Sequence, residues 1–283
     1  MGEGWMARAR SICASAGRDW LDAVTDRRCP GCGGPVGRTE LVCVTCDAAV
    51  PRLGSVLCLE CLNMSPTGGA ARSGDEPGVP PAGLPMTSGA CRLHGSARLL
   101  LAGPSYEAPI RAIVRAFKYE GFSHLAPWVA SLVPTPPSLD TAFRRESLIV
   151  PLPLHPARRA SRGFDQATLL AAECGRWWGV PVVPLLQRTR ETKPQARLDP
   201  RARRGNLEGA FRVDPAFATL GRDRPILLID DVATTGATLL SAALALEAAG
   251  PAWILALSAS HGGAFDAAQS TAQAKVATPG VVC

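Results

Sequence analysis

The sequence predicts an α/β fold with a mostly parallel sheet, preceded by a small cysteine-rich module, and three observations carry that expectation. Short apolar runs alternate with helical patterns between Ile110 and Leu257, the mark of strands joined by helices that cover both faces of a sheet. Seven of the ten cysteines fall between Cys29 and Cys91, leaving Cys13, Cys174 and Cys283 elsewhere. At 283 residues the chain exceeds one average domain, so a division into a sulfur-built part and a larger aliphatic part is expected.

Residues 1–28 place Ile12, Trp20, Leu21 and Val24 at positions suited to a short helix. Residues 29–94 form the cysteine module. Within it, residues 63–90 are dense in Gly and Pro without apolar periodicity, which marks an insertion. Residues 95–262 carry the α/β part. There Ile110, Ile113, Val114 and Phe117 recur at helical spacing, and the apolar run from Ser147 to Val150 reads as a buried strand stopping at Pro151. A helix follows over Asp165–Trp178, then a strand over Val180–Leu186 and another over Pro225–Ile229. The last two elements expected are a helix over Ala237–Ala249 and a strand over Trp253–Leu257. Residues 263–283, rich in Ala, Ser, Thr and Gln, read as a disordered tail.

No apolar run approaches the roughly 18–20 residues that span a bilayer, and the N-terminus has no continuous apolar stretch of signal-peptide type. A cytoplasmic protein without membrane insertion is therefore expected. In a reducing compartment disulfides are rare, and closely spaced cysteines more often hold a metal. The formal charge of +6 is uneven: Arg144–Arg204 holds thirteen Arg and Lys against five Asp and Glu. Such a stretch attracts phosphates, free or polymeric.

The strongest local pattern is Ile229-Asp230-Asp231-Val232-Ala233-Thr234-Thr235-Gly236-Ala237-Thr238-Leu239. An apolar strand delivers two adjacent carboxylates at its C-terminal end, the edge at which open α/β sheets bind ligands. The following loop, Ala233 to Thr238, opens a helix whose N–H groups and dipole suit a phosphate dianion, with Thr234, Thr235 and Thr238 adding donors and Gly236 allowing the turn. Asp230 and Asp231 are acceptors suited to the vicinal hydroxyls of a sugar whose phosphate sits in that loop. The competing reading is an ordinary strand-to-helix turn with Asp and Thr as caps, for which one carboxylate would suffice. A P-loop is excluded by the missing glycine-to-lysine spacing.

Cys29-x2-Cys32, Cys43-x2-Cys46 and Cys58-x2-Cys61 are three knuckle-like pairs within 33 residues. Each can place two thiolates on one tetrahedral zinc ion. Three pairs supply one and a half sites, and Cys91-x2-His94 has the spacing to complete a second, so two zinc ions are expected. A solvent-facing loop histidine is the rival reading for His94. A redox dithiol is the rival for any single pair, though such a dithiol is usually one motif at a helix start.

The segment Ile229–Leu239 looks like the signature by which type I phosphoribosyltransferases bind 5-phosphoribosyl diphosphate (PRPP). The chain resembles the ComF family, and its ComFC/GntX-like members, through further residues in the family's order. These are Phe117-Lys118-Tyr119, Val150-Pro151-Leu152-Pro153, Arg162-Gly163-Phe164-Asp165-Gln166, Pro194-Gln195, Arg204 and Asn206. The resemblance runs from about Cys29 to Leu257. Asp165 stands where the family usually has Asn, and His94 where it commonly has a fourth pair's second cysteine.

The resemblance implies a Rossmann-like type I phosphoribosyltransferase domain with a diphosphate loop over Leu152–Arg162. Arg158, Arg159 and Arg162 then become charge partners for diphosphate, since guanidinium groups pair bidentately with phosphate oxygens. A solubilising surface role is the rival for any one of them. The resemblance also implies Mg2+ bridging diphosphate and ribose oxygens, and a place in natural transformation beside incoming single-stranded DNA and DNA-uptake proteins. In a working transferase a nucleophile would attack C1 of PRPP as diphosphate leaves, with Asp230 and Asp231 holding the ribose; the residues identify no acceptor. Two alternatives stay open: a single-stranded nucleic-acid-binding protein without turnover, supported by the basic stretch and the zinc module, and a PRPP-sensing regulator.

Overall fold

Continuous apolar runs build the centre of the protein. The computed structural model describes residues 27–37, 39–52, 55–59, 98–136, 138–190, 209–262 and 281–282. Four parallel strands lie side by side: β3 (Leu148–Pro151), β6 (Pro225–Ala233), β7 (Trp253–His261) and β2 (Leu99–Ala102). β1 (Ser55–Cys58) pairs antiparallel with β2, and β8 (Val281–Val282) pairs in parallel with β1 at the edge. A separate antiparallel ribbon joins β4 (Leu186–Arg188) to β5 (Phe211–Val213). The mostly parallel α/β arrangement expected from the sequence is present.

Side chains alternate along a strand, and β6 uses both faces. Leu227 and Ile229 join a core with α2 (Ile110–Tyr119), α3 (Ala126–Ala130) and α6 (Gln166–Trp178). Ile226 and Leu228 join the opposite core with α7 (Ala237–Leu246), Leu186 and Phe211. A strand covered on both sides must be apolar at every position, which is why Ile226 to Ile229 forms an unbroken run.

α2 shows how the helices are held. Ile110, Ile113, Val114 and Phe117 are buried on one stripe, as their spacing predicts. Each large side chain so buried contributes about 1.5–3 kcal/mol. α6 starts where Asp165 Oδ1 accepts from Thr168 N at 3.1 Å, and stops at Gly179 with φ 67°. The other Asp165 oxygen accepts from Leu154 N at 2.9 Å, tying the segment after β3 to the helix.

The structure departs from the expected elements in three places. Val180–Leu186 is not a strand: Val182 makes one bridge to Ile149, and β4 begins only at Leu186. Pro181 and Pro184 lack the N–H donors a continuous ladder needs. The helix expected to reach Ala249 ends at Leu246 and tightens into a 3-10 turn over Glu247–Ala249 before Gly250, with φ 64°. The strands expected to end at Ile229 and Leu257 run on to Ala233 and His261, because they pair with each other that far. Asp230 and Asp231 thus stand on β6 itself.

The cysteine segment packs on the α/β core. Cys29, Val42, Cys46 and Val50 share the cluster that holds α2, and β1, which ends at Cys58, lies in the main sheet. The helical segment expected at the N-terminus, the insertion 63–90, residues 191–208 of the basic stretch and the tail expected over 263–283 lie outside the described residues, save Arg27 and Arg28 at the edge of the first and Val281 and Val282 of the last.

Candidate functional site

Two clusters of chemistry-bearing side chains stand out. The first is the cysteine cluster. Residues 29–34 fold into a tight knuckle, closed by Cys29 N donating to Gly34 O at 2.7 Å and Gly33 N to Cys29 O at 2.8 Å. Gly33 takes φ 75°, a conformation open mainly to glycine. Backbone N–H groups point at sulfur: Gly31 N and Cys43 N at Cys29 Sγ, and Gly34 N at Cys32 Sγ, each 3.4 Å away. Cys43 caps the short helix α1 (Val44–Ala48), its sulfur accepting from Cys46 N at 3.4 Å.

The four sulfur atoms lie within 4.8 Å of one another, and Cys32 Sγ is 3.6 Å from Cys43 Sγ. Tetrahedral zinc with Zn–S bonds of about 2.3 Å sets sulfurs about 3.8 Å apart, so the four can hold one zinc ion. N–H donors aimed at thiolates are what such a site needs to spread its negative charge. Burial raises the Cys29 thiol, yet the N–H groups of Cys43, Cys32 and Gly31 outweigh it and bring its pKa down to about 7. Burial and the neighbouring sulfurs push Cys46 well above the usual thiol range. Of the other expected ligands, Cys58 ends β1, paired in register with Leu99, while Cys61, Cys91 and His94 lie outside the described residues.

The second cluster lies at the C-terminal edge of the parallel strands. Asp231 is 7% exposed, and its Oδ1 meets Lys118 Nζ of α2 at 2.9 Å. Asp230 is partly buried, with Oδ1 accepting from Asp231 N at 2.8 Å. Burial first, and then the charge of Asp231, push the Asp230 carboxyl up to about 8, against the pull of Lys118. Burial works to lower the Lys118 ammonium, but Asp231 and Asp230 overcome it and raise its pKa. Tyr106 is set beside them by its N–H bond to His261 O at 2.5 Å, and burial raises its phenol.

An unfolded Asp230 loses its proton near its usual 3.8, whereas the folded one keeps it to about 8. Stability therefore falls as pH rises through that window, and the full penalty applies above it. Asp230→Asn should raise the thermal midpoint relative to wild type by an amount that is small at pH 4 and grows to a plateau above pH 8. A difference that stays flat from pH 4 to 9 would contradict it.

The turn after β6 places Thr234 at the surface and Thr235 Oγ1 as acceptor from Ala237 N at 3.4 Å. Gly236, at φ 69°, precedes the first turn of α7, where Ala237 and Thr238 sit. Ala233 is still paired with His261. Among the arginines of α5 (Pro156–Arg162), Arg162 is brought to the end of α2: it donates to Gln166 Oε1 at 3.0 Å and Tyr119 Oη at 3.3 Å, and stacks 4.8 Å from the Tyr119 ring centre. Arg159 is exposed and Arg158 partly buried on the same helix.

Lys118, Tyr106 and Tyr119 had no site role in the sequence reading. The signal available for Lys118 was its place beside Phe117, the last member of the buried stripe, in a chain with only two other lysines, Lys193 and Lys275. Its pairing with a residue 113 positions later is a property of the tertiary structure.

Together these features define a class: an α/β protein with paired carboxylates at the C-terminal edge of a parallel sheet and a four-cysteine cluster able to hold zinc. No family model matches the chain. It is 31% identical over 140 residues to Competence protein F of Haemophilus influenzae, a match covering 47% of this chain and 60% of that protein. It is 30% identical over 159 residues to the DNA utilization protein YhgH of Salmonella typhimurium, covering 55% of this chain and 68% of that one. Against YhgH of Escherichia coli K12 the identity is 30% over 146 residues, with 49% and 61% covered. The chain belongs to the ComF family.

Proposed function

We propose that this protein binds PRPP, or a related ribose 5-phosphate, in a Rossmann-like domain of the type I phosphoribosyltransferase kind, and that it serves the handling of incoming DNA. The observation that carries the reading is the pair Asp230 and Asp231 near the C-terminal end of β6, followed after Val232 and Ala233 by the Thr234–Gly236 turn into α7. In this reading the sugar hydroxyls meet the two carboxylates. The phosphate meets the N–H groups and hydroxyls of residues 233–238, and Arg158, Arg159 and Arg162 attract the diphosphate. The carboxylates offer the hard oxygens that suit Mg2+, which on binding with the ligand neutralises diphosphate charge. The names of the relatives support the link to competence and DNA use.

Cys58, Cys61, Cys91 and His94 take a second zinc ion on the strength of their spacing. Residues 29–94 act as the zinc module, 95–262 as the phosphoribosyl-binding domain, and the setting is the cytoplasm. Among the described residues no helix is long and apolar enough to cross a membrane.

Calorimetric titration of PRPP with Mg2+ tests the reading, with Asp230→Asn/Asp231→Asn as the control. Saturable binding that the double variant abolishes is expected, and an acceptor screen for diphosphate release follows from it. No binding to wild type overturns the ligand. Salt-dependent binding of single-stranded DNA that PRPP leaves unchanged would then favour the second reading, a nucleic-acid-binding protein without turnover, which the relatives' names also fit.

A further inference from the structure

The chain carries 30 Lys and Arg residues, of which only Lys118, Lys193 and Lys275 are lysines. One of the three holds the buried position opposite Asp231. Its side chain is 15% exposed, that of Asp231 is 10%, and the two atoms lie 2.9 Å apart. Arginine is the better partner for a fixed carboxylate pair, because its planar fork grips both oxygens at once. Lysine offers a single compact charge on a flexible four-carbon stem, able to leave one oxygen and reach another.

The placement matches that use. Lys118 lies in the last turn of α2, whose other face is locked into the core by Ile113, Val114 and Phe117. The backbone there is anchored, and a lysine's four-carbon stem has the rotatable bonds to pass from one acceptor to another. Next along the chain, Tyr119 is 65% exposed and carries Arg162 on its ring, so a second cation stands at the same helix end. A sugar hydroxyl that donates to Asp231 Oδ1 competes with Lys118 Nζ for that oxygen. An ammonium displaced into so dry a place needs a new anion, and a phosphorylated sugar brings one.

We propose that Lys118 is a ligand-binding residue of the phosphoribosyl site, passing from Asp231 to a phosphate oxygen of the ligand as the sugar hydroxyls take over the carboxylate. This rests on the function proposed above. Lys118 then serves twice: it stabilises the buried carboxylates of the protein alone, and it answers the ligand's charge in the complex. The anion it meets is either the 5-phosphate or the diphosphate.

The test uses the full chain and two probes, ribose 5-phosphate and PRPP, each titrated with Mg2+ into wild type, Lys118→Met and Lys118→Arg. Lys118→Met is expected to lose tenfold or more in affinity, and Lys118→Arg to recover part of it. A loss for both probes assigns the contact to the 5-phosphate; a loss for PRPP alone assigns it to the diphosphate. If Lys118→Met fails to fold, carbon-13 labelling of the lysines of wild type decides. The Lys118 ε-carbon signal, identified by its absence from Lys118→Arg, should shift as ligand saturates the protein. Wild-type affinity in a folded Lys118→Met, or a Lys118 signal unmoved at saturation, overturns the proposal while leaving the function intact. Wild type binding neither probe overturns both.

Discussion

Cys46→Ser will unfold the N-terminal part of the protein and lower the thermal midpoint by more than 10 °C, and a strong zinc chelator will do the same to wild type. The expectation follows from where the cluster sits. Cys29 and Cys46 are 2% and 6% exposed and belong to the core that holds α2, α3 and α6. A Cβ built on Gly31 would lie 2.9 Å from Cys46 Sγ, 3.2 Å from Pro109 Cβ and 3.3 Å from Ile113 Cδ1, so the knuckle presses directly on the start of α2. Removing one of four thiolates leaves an incomplete ligand set, and zinc bound at such sites supplies on the order of 10 kcal/mol of folding free energy. Even a fraction of that is large against a total stability of about 5–15 kcal/mol. Metal content by mass spectrometry and thermal unfolding monitored by circular dichroism check both arms. A chelator-treated protein that keeps its midpoint would show that the cluster holds the fold without metal.

Gly103→Ala will be nearly as damaging, and for a reason of space alone. Gly103 follows β2 and donates its N–H to Ser258 O at 2.8 Å. A Cβ there would lie 2.2 Å from Ala259 O and 2.4 Å from Leu132 O, both backbone atoms. No side chain can rotate away to relieve this contact, so β2 and β7 must part or the α3 end must retreat. Overpacking of this kind costs about 3 kcal/mol or more, which for a domain of this size is a fall of roughly 6–12 °C in thermal midpoint. The neighbouring backbone carries Tyr106 and His261, so β2 displaced from β7 also disturbs the carboxylate edge. A soluble Gly103→Ala protein with an unchanged midpoint would mean that the strands slide apart without cost.

Much of the fold was legible because burial on both faces leaves a pattern. Ile226 to Ile229 could only be a central strand, and Ile110, Ile113, Val114 and Phe117 could only line a helix. The first two cysteine pairs were legible too, since two thiolates three residues apart reach one ion, and the structure brings Cys29, Cys32, Cys43 and Cys46 together. Element ends were less so. β6 and β7 extend past their apolar cores because each supplies the other's hydrogen bonds up to Ala233 and His261, a pairing that composition does not encode. The run Val180–Leu186 looked like a strand because Val and Leu dominate it, while the two prolines decide against a ladder.

By itself the sequence determined the α/β class, the cysteine cluster and the adjacency of Asp230 and Asp231, all of which depend on residues close together in the chain. Only the tertiary structure decided that Asp231 faces Lys118, that Arg162 stacks on Tyr119, and that the knuckle leans on the helix whose far end meets the carboxylates. Those contacts join segments tens of residues apart. Their partners are selected by which faces of α2 and β6 the core leaves free, and that selection exists only once the core has formed.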